Sequence, residues 1–169
     1  SVQRAATARA EHAEVIGVTL REPLLRGTAT GRAIEIEGLK LGSIDADVDF
    51  DPRAGKTSNV RIEARNLEAI GRTASRLDFT LRGQTEQHAV TLDATAPNGR
   101  LRLRADGGFT AGVWRGNWRE VNVDDDAQLH LKLEKPAAIE ASIDRGKLDL
   151  FCLRGEQAKL CSSMDWNAE

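Results

Sequence analysis

Aromatic residues are scarce in this sequence: Phe and Trp together make up 4% of it, and Tyr is absent. Proteins that bind single-stranded nucleic acid need aromatic rings on which bases stack, and few rings are available here. The 24 basic and 26 acidic residues give a formal net charge of -2, and the basic residues form no dense patch. Because nucleic-acid backbones bind clustered Lys and Arg, the composition argues against nucleic acid as a partner.

Long apolar runs are also missing. No stretch of about eighteen apolar residues is present, so the sequence predicts no membrane-spanning helix. A signal peptide is not recognisable either, because the charged start, apolar core and small-residue cleavage site are absent. Since the chain opens on Ser1, we expect it to be an internal piece of a longer protein. We expect residues 1–169 to form a single all-β segment, with residues 1–16 undecided.

Catalytic motifs are absent too. The chain has no Gly-x-Ser-x-Gly elbow and no phosphate-binding loop, and neither cysteine has a histidine at a catalytic spacing. His12, His88 and His130 lie far apart in the sequence, which disfavours a zinc site. We therefore expect no enzymatic activity, no metal and no cofactor.

The most acidic segment alternates Asp45, Asp47, Asp49 and Asp51 with apolar residues. A calcium loop of the EF-hand type needs Gly at its sixth position, where this chain has Phe50. Side chains of a strand alternate between its faces, so we predict that all four carboxylates lie on the solvent face.

Alternation with a period of two is the strongest pattern in the chain. Apolar residues at every second position are separated by charged ones, as in strands with one buried and one solvated face. The pattern predicts about ten antiparallel strands in a meandering sheet. Turn signals lie at 51–55, 82–83, 97–99, 106–108 and 145–146. A change of apolar parity across Gly38 predicts a β-bulge there.

Two of the few aromatic residues, Trp114 and Trp118, are separated by an even number of positions. On a strand this spacing places both rings on one face, and we interpret them as core anchors in preference to ligand contacts. Gly112 and Gly116 lie beside them, and we expect these glycines to allow close approach of backbone or rings.

Cys152 and Cys161 are the only cysteines in the chain. A lone close pair has three interpretations: free core thiols, half of a metal site, or a disulfide. The metal site is disfavoured because no second cysteine pair and no paired histidines lie nearby. The local sequence favours a disulfide over free thiols, and a disulfide would indicate an oxidising compartment.

The alternation leaves open how so large a sheet covers its apolar face. The sheet could close into a barrel, split into a sandwich or curl into an open trough. Leu, Ala, Ile and Val dominate the apolar positions, and these residues line an acyl-chain groove as readily as they fill a dry core.

Several short motifs follow one another in a fixed order across the C-terminal half of the chain. They are Gly83 with His88, Val90-Thr91-Leu92, Trp114-Arg115-Gly116, Pro136-Ala137-Ala138-Ile139, Cys152-Leu153, Leu160-Cys161 and Trp166. In this order and spacing they resemble the TamB family of AsmA-like proteins, with one departure at Leu131, where a Trp is expected. The resemblance covers residues 83–166, whereas residues 17–82 fit the family only as generic amphipathic strands.

The resemblance implies a fold, a location and a partner. The implied fold is a β-taco, a long antiparallel sheet folded lengthwise into a U with an apolar trough and a polar exterior. The implied location is the periplasm, as a segment of an inner-membrane-anchored protein of Gram-negative bacteria. A disulfide between Cys152 and Cys161 is also implied, as is an outer-membrane barrel partner of the TamA type that acts through the full-length protein.

The function that the resemblance implies is phospholipid transfer along the trough towards the outer membrane. The candidate groove residues, which would contact phospholipid acyl chains, are Leu77, Phe79, Leu81, Val90, Leu92, Leu101, Leu103, Leu129, Leu131 and Leu133. The alternative is a scaffold or chaperone segment that assists outer-membrane protein assembly through its strand edges.

Overall fold

The chain folds into β-strands throughout the part that the structure describes. The computed structural model describes residues 9–21, 24–36, 38–69, 71–126 and 129–167. The twelve strands within these ranges are β1 (Arg9–Arg21), β2 (Leu24–Ile36), β3 (Leu39–Phe50), β4 (Thr57–Ala69), β5 (Arg72–Gln84), β6 (Gln87–Ala96), β7 (Gly99–Thr110), β8 (Val113–Asp125), β9 (His130–Leu133), β10 (Ala137–Ala141), β11 (Arg145–Arg154) and β12 (Lys159–Asn167). These strands confirm the all-β prediction and outnumber the ten or so that the turn signals indicated.

The strands form one antiparallel meander. Their order is β1-β2-β3-β4-β5-β6-β7-β8-β10-β11-β12, and β9 pairs with β8 and β11 beside this path. β9 and β10 therefore share one position in the sheet, separated by the segment 134–136 that contains Pro136. Proline cannot donate a ladder hydrogen bond, which explains the break. β1 and β12 do not pair with each other, so the described strands form no closed barrel.

Apolar residues on one face align across the strands. The register is continuous from β3 to β7, so each apolar residue lies opposite another on the neighbouring strand. The first strip contains, in order, Ala46, Ile62, Phe79, Leu92, Leu103 and Val121. The second strip contains Ile44, Ala64, Leu77, Ala94, Leu101 and Val123. Because cross-strand neighbours at this spacing interact, each strip is a continuous apolar surface.

The opposite face of the sheet is charged. Asp45 and Asp47 are exposed on it, as predicted, and Arg26 forms an ion pair with Asp49 at 2.9 Å. An exposed pair of this kind contributes at most about 1 kcal/mol. Such residues therefore keep this face solvated more than they hold the strands together.

Asp51 does not lie on the solvent face, and the prediction for this fourth carboxylate is wrong. β3 ends at Phe50, and the chain turns so that Asp51 is only 7% exposed. Arg53 donates hydrogen bonds of 2.7 and 2.5 Å to the two carboxylate oxygens. These hydrogen bonds lower the pKa of Asp51 to about 2. The Asp51 N–H donates to the Ser58 hydroxyl at 2.9 Å, which ties the turn to β4.

Three of the predicted turns lie inside strands. Residues 82–83 are part of β5, 106–108 of β7 and 145–146 of β11, and the chain reverses instead at 85–86, 111–112 and 142–144. The parity change at Gly38 is also not a bulge. Gly38 has φ 77° in the tight hairpin turn between β2 and β3, a conformation that glycine adopts without steric cost.

Register shifts occur between β1 and β2, at Ile16/Thr19, and in two strand pairs at the C-terminal end of the sheet. β8 has one extra residue, Arg119, relative to β7, and β11 has one extra residue relative to β12. Bulges of this kind bend a strand and increase its twist. Val121 of β8, Leu131 of β9 and Leu153 of β11 pack together here in a buried cluster.

Candidate functional site on the apolar face

Seven of the ten predicted groove residues lie on β5, β6 and β7 and point to one face of the sheet. They are Leu77, Phe79, Leu81, Val90, Leu92, Leu101 and Leu103. Leu81 lies opposite Val90. Leu92 lies between Phe79 and Leu103 in the first strip. All seven side chains are half-buried, so each keeps part of its apolar surface accessible.

The remaining three predicted groove residues lie at the C-terminal end of the sheet. Leu131 is only 7% exposed, because Val121 and Leu153 pack against it. Leu133 packs against the same cluster, as does Leu129, which precedes β9. The structure therefore places all ten residues on one face, and Leu131 offers a ligand the smallest fraction of its surface.

All the described strands belong to a single sheet, so they form no separate second sheet over this face. Seven hydrophobic residues are buried in the described part of the chain, and three of them are alanines. A packed sandwich would enclose large side chains completely, whereas no large side chain among the described residues is fully buried. The apolar face is therefore shielded only in part.

Sequence reasoning missed a polar contact on the apolar face, between His88 and Trp114. The indole N–H of Trp114 donates a 2.8 Å hydrogen bond to Nε2 of His88. Nδ1 of the same imidazole lies 3.1 Å from the Gln84 carbonyl oxygen, to which it donates. With one ring nitrogen accepting and the other donating, both nitrogens of the imidazole have hydrogen-bond partners. The signal available in the sequence was the presence of both residues in the ordered motif set.

Glycines let the Trp114 ring approach the sheet closely. A Cβ atom at Gly107 would lie 2.7 Å from Cζ2 of Trp114, and one at Gly116 would lie 2.5 Å from Cη2. Both distances are shorter than van der Waals contact, so glycine alone fits beneath the ring. The predicted close approach is therefore correct for Gly116. It is wrong for Gly112, which has φ 78° in the β7–β8 turn and open space around it.

Trp118 is a core anchor, as the sequence predicted. Its ring meets Phe151 edge to face at a centroid distance of 5.3 Å and packs against the buried cluster. Trp114 and Trp118 lie on the same face, because the register of β8 against β10 is continuous between them. The even spacing therefore identified their shared face correctly.

Cys152 and Cys161 form a disulfide, which confirms the favoured interpretation. They lie directly opposite each other on β11 and β12, with Cα atoms 4.1 Å apart. Since the chain has no other cysteine, neither a free thiol nor a thiolate metal ligand remains. Disulfides persist in oxidising compartments, which is consistent with the periplasm.

The apolar face continues onto β12. β12 is the last strand and pairs only with β11 among the described strands. Leu160, Met164 and Trp166 point to the apolar face and are 56%, 51% and 40% exposed. Trp166 lies against Gly146, where a side chain would collide with its ring. The last strand therefore presents apolar side chains that no further described strand covers.

These features define an all-antiparallel, disulfide-bonded sheet protein whose apolar face is only partly shielded. The family model described as TamB, N-terminal domain, matches residues 11–169, which is most of the chain. The chain therefore belongs to the TamB family. The comparison with curated proteins gave no significant match, and the comparison with solved structures gave none.

The family match extends well beyond the motifs of residues 83–166. It includes the N-terminal strands, which the sequence alone identified only as generic amphipathic strands. TamB-family proteins are anchored in the inner membrane, span the periplasm and act in lipid transport and outer-membrane assembly. In the described ranges, no helix is long and apolar enough to cross a membrane.

Proposed function

We propose that this chain supplies one section of a hydrophobic groove for phospholipid transfer towards the outer membrane. The observation that supports the proposal is the partly shielded apolar face, on which two strips cross β3 to β8 without a polar residue. Membership of a family that acts in lipid transport fits such a face. In the proposal the sheet folds lengthwise into a U, and the strips line the inside of its trough.

The proposed mechanism is passive. An acyl chain gains about 25 cal/mol for each Å² of apolar surface that leaves water. Neighbouring strands are spaced by about 4.8 Å, so a lipid that moves by one strand exchanges one set of contacts for a similar set. No single position then holds the lipid strongly, and the barrier to movement along the strips stays low.

In the proposed function, the full-length protein supplies the inner-membrane anchor and the contact with the outer membrane. The chain acts as a periplasmic segment of an inner-membrane-anchored protein in a Gram-negative bacterium. An outer-membrane barrel of the TamA type is the proposed partner at the far membrane. The contribution of the described strands is then a path for acyl chains between the two membranes.

The test places a charge in the middle of the first strip. Leu92 lies between Phe79 and Leu103, so Leu92→Asp puts a carboxylate among apolar contacts. Thr91→Asp is the matched control, because it adds the same charge on the opposite face, where Arg104 lies across from it. Native mass spectrometry of the detergent-free chain measures the phospholipid that copurifies.

We expect phospholipid on the unchanged chain and on Thr91→Asp, and its loss from Leu92→Asp. Leu103→Asp, one strand further along the strip, should reproduce the loss. Circular dichroism checks that every variant retains its strands. Full lipid occupancy in a folded Leu92→Asp variant would contradict the groove.

We propose as an alternative a function that uses strand edges, because β12 pairs on one side only among the described strands. An exposed strand edge can bind another strand through backbone hydrogen bonds. The alternative proposal is therefore a scaffold or chaperone segment that holds strands of outer-membrane proteins during assembly. Ser163→Pro removes a backbone donor in the middle of β12 and should weaken binding of a peptide from an outer-membrane strand. Leu92→Asp should leave that binding unchanged, so the two variants separate the two functions.

A further inference from the structure

A cleft of about 860 Å³ lies beside the β11–β12 connection, lined by residues of β9, β11 and β12 and their adjoining loops. Its cationic side chains are Lys132, Lys135, Arg154 and Lys159, and its carboxylates are Glu134 and Glu156. Four Lys and Arg against two Glu leave an excess of two positive charges, although the chain as a whole has a net charge of -2. We call this site the hairpin cleft.

The positive charges of the hairpin cleft are neutralised only in part. Glu134 pairs with Lys159 at 2.9 Å and also with Arg154, and their hydrogen bonds lower the pKa of the Glu134 carboxyl. Lys132 and Lys135 are exposed and have no ion-pair partner in the described part of the chain. Lys132 lies directly opposite Arg154, which lies opposite Lys159. Like charges at opposed positions destabilise a sheet, so an anion bound among them would be stabilising.

A second cleft provides an internal comparison. This cleft, of about 470 Å³, contains three arginines and three aspartates, namely Arg76, Arg100, Arg102, Asp78, Asp93 and Asp124. Its Arg76–Asp78 and Arg102–Asp93 pairs are both closed at 2.6 Å. The charges of this cleft balance without a ligand, whereas those of the hairpin cleft do not.

Apolar residues lie on the other face of the strands that carry the cations, because the Leu133–Leu153 pair is next to the Lys132–Arg154 pair. Leu133 lines the cleft and also packs against the buried cluster. Gly155, in the same lining, lies so close to β9 that a Cβ atom there would be 3.1 Å from Cδ2 of Leu131. A molecule in the cleft therefore meets the cations on the charged face, and the hydrocarbon of Leu131 and Leu133 lies around the end of β11, where Gly155 approaches β9. This combination fits an amphiphile with an anionic head.

We infer that the hairpin cleft binds a phosphate group through Lys132 and Lys135, with Arg154 and Lys159 completing its positive lining. The source of the phosphate is the headgroup of a phospholipid, an assignment that rests on the proposed groove; free phosphate is the other source of the same chemistry. Ammonium groups bind phosphate as point charges and need no fixed orientation. With the phosphate in the cleft, the acyl chains can pass around the end of β11 at Gly155 onto the apolar face.

The test uses the 169-residue chain and three probes measured by titration calorimetry. The probes are short-chain phosphatidylglycerol, a diacylglycerol with the same acyl chains, and inorganic phosphate. Lys132→Gln combined with Lys135→Gln removes the two unpaired cations. Arg72→Gln combined with Arg82→Gln is the matched control, because it removes two exposed cations of β5 that also lack ion pairs among the described residues.

We expect the unchanged chain and the arginine control to bind phosphatidylglycerol on the order of tenfold more tightly than diacylglycerol at low ionic strength. The lysine variant should bind the two lipids equally. Binding of inorganic phosphate that disappears in the lysine variant would support the site. If phosphate binds in this way but phosphatidylglycerol binds no more tightly than diacylglycerol, the ligand of the hairpin cleft is free phosphate.

An unchanged preference for phosphatidylglycerol in the lysine variant would overturn the inference, and so would an equal loss in the arginine control. The same experiment can contradict the proposed groove without contradicting the hairpin cleft. If diacylglycerol binds no variant while lysine-dependent phosphate binding persists, the groove is wrong and the hairpin cleft stands. Circular dichroism and the intact Cys152–Cys161 disulfide verify that the variants are folded.

Discussion

Two parts of the sheet, β2 to β7 and β9 to β12, are held together differently. From β2 to β7 the strands are 10 to 13 residues long and pair with one another without a register shift. From β9 to β12 they are 4 to 10 residues long, with one register shift beside them in the β7–β8 pair and another within them in the β11–β12 pair. A buried cluster and a disulfide are found in this short-stranded part.

The difference shows how an incompletely covered sheet is stabilised. In the long-stranded part, the register is continuous across the five strand pairs from β2–β3 to β6–β7, and half-buried side chains interact across the strands. In the short-stranded part, bulges bend the strands where Val121, Leu131 and Leu153 meet, and a covalent bond fixes the last strand. The first arrangement leaves apolar surface accessible, and the second uses it for packing.

The largest expected difference between the two parts is in the stability lost when one leucine in each part is truncated to alanine. Leu131→Ala leaves a cavity in the buried cluster and should lower the free energy of unfolding by about 2 to 4 kcal/mol. Leu77→Ala removes a half-buried side chain that faces Ala64 and Ala94 and should cost about 1 kcal/mol. Urea unfolding measures both values. Equal losses would mean that the two parts are packed alike.

Removal of the disulfide should have an effect of similar or slightly smaller size. Cys152→Ala combined with Cys161→Ala should lower the free energy of unfolding by roughly 2 to 3 kcal/mol, because a short closed loop is opened. Hydrogen exchange should accelerate in β11 and β12 and stay unchanged in β3 to β6. A uniform acceleration would mean that the sheet unfolds as one unit and that its two parts do not differ in local stability.

Acid should cause a smaller loss of stability, at the turn that follows β3 in the long-stranded part. Hydrogen bonds from Arg53 hold the pKa of Asp51 at about 2, below its ordinary value of about 4. The ionised carboxylate therefore stabilises the fold above about pH 4, and this contribution is lost as the pH falls through about 2. Asp51→Asn should make the thermal stability nearly independent of pH between these two pH values, and Arg53→Gln should have the same effect. Unchanged acid sensitivity in both variants would contradict this role of the pair.

Alternation predicts the long-stranded part well, because each strand there has one solvated face. In β3, Ile44, Ala46 and Val48 are half-buried, whereas Asp45 and Asp47 between them are exposed. The same rule placed the candidate groove residues on one face. Alternation contains no information about the extra residues of β8 and β11, so it could not predict that Leu131 would be enclosed in a cluster.

Turn signals fail at Gly83, Gly107 and Gly146, which lie inside strands. Glycine permits a chain reversal, and it equally permits a ring or another backbone to approach a strand closely. At Gly107 the approaching group is Trp114, and at Gly146 it is Trp166. Local sequence does not distinguish the two uses, because the deciding partner comes from a neighbouring strand.

The meander also makes molecular length a simple function of strand number. Eleven strand positions spaced by about 4.8 Å span roughly 50 Å, measured across the strands. One additional hairpin would lengthen the sheet by about 10 Å. Because each strand contacts little besides its immediate neighbours, a duplicated or deleted hairpin would change the reach of such a protein while leaving its cross-section the same.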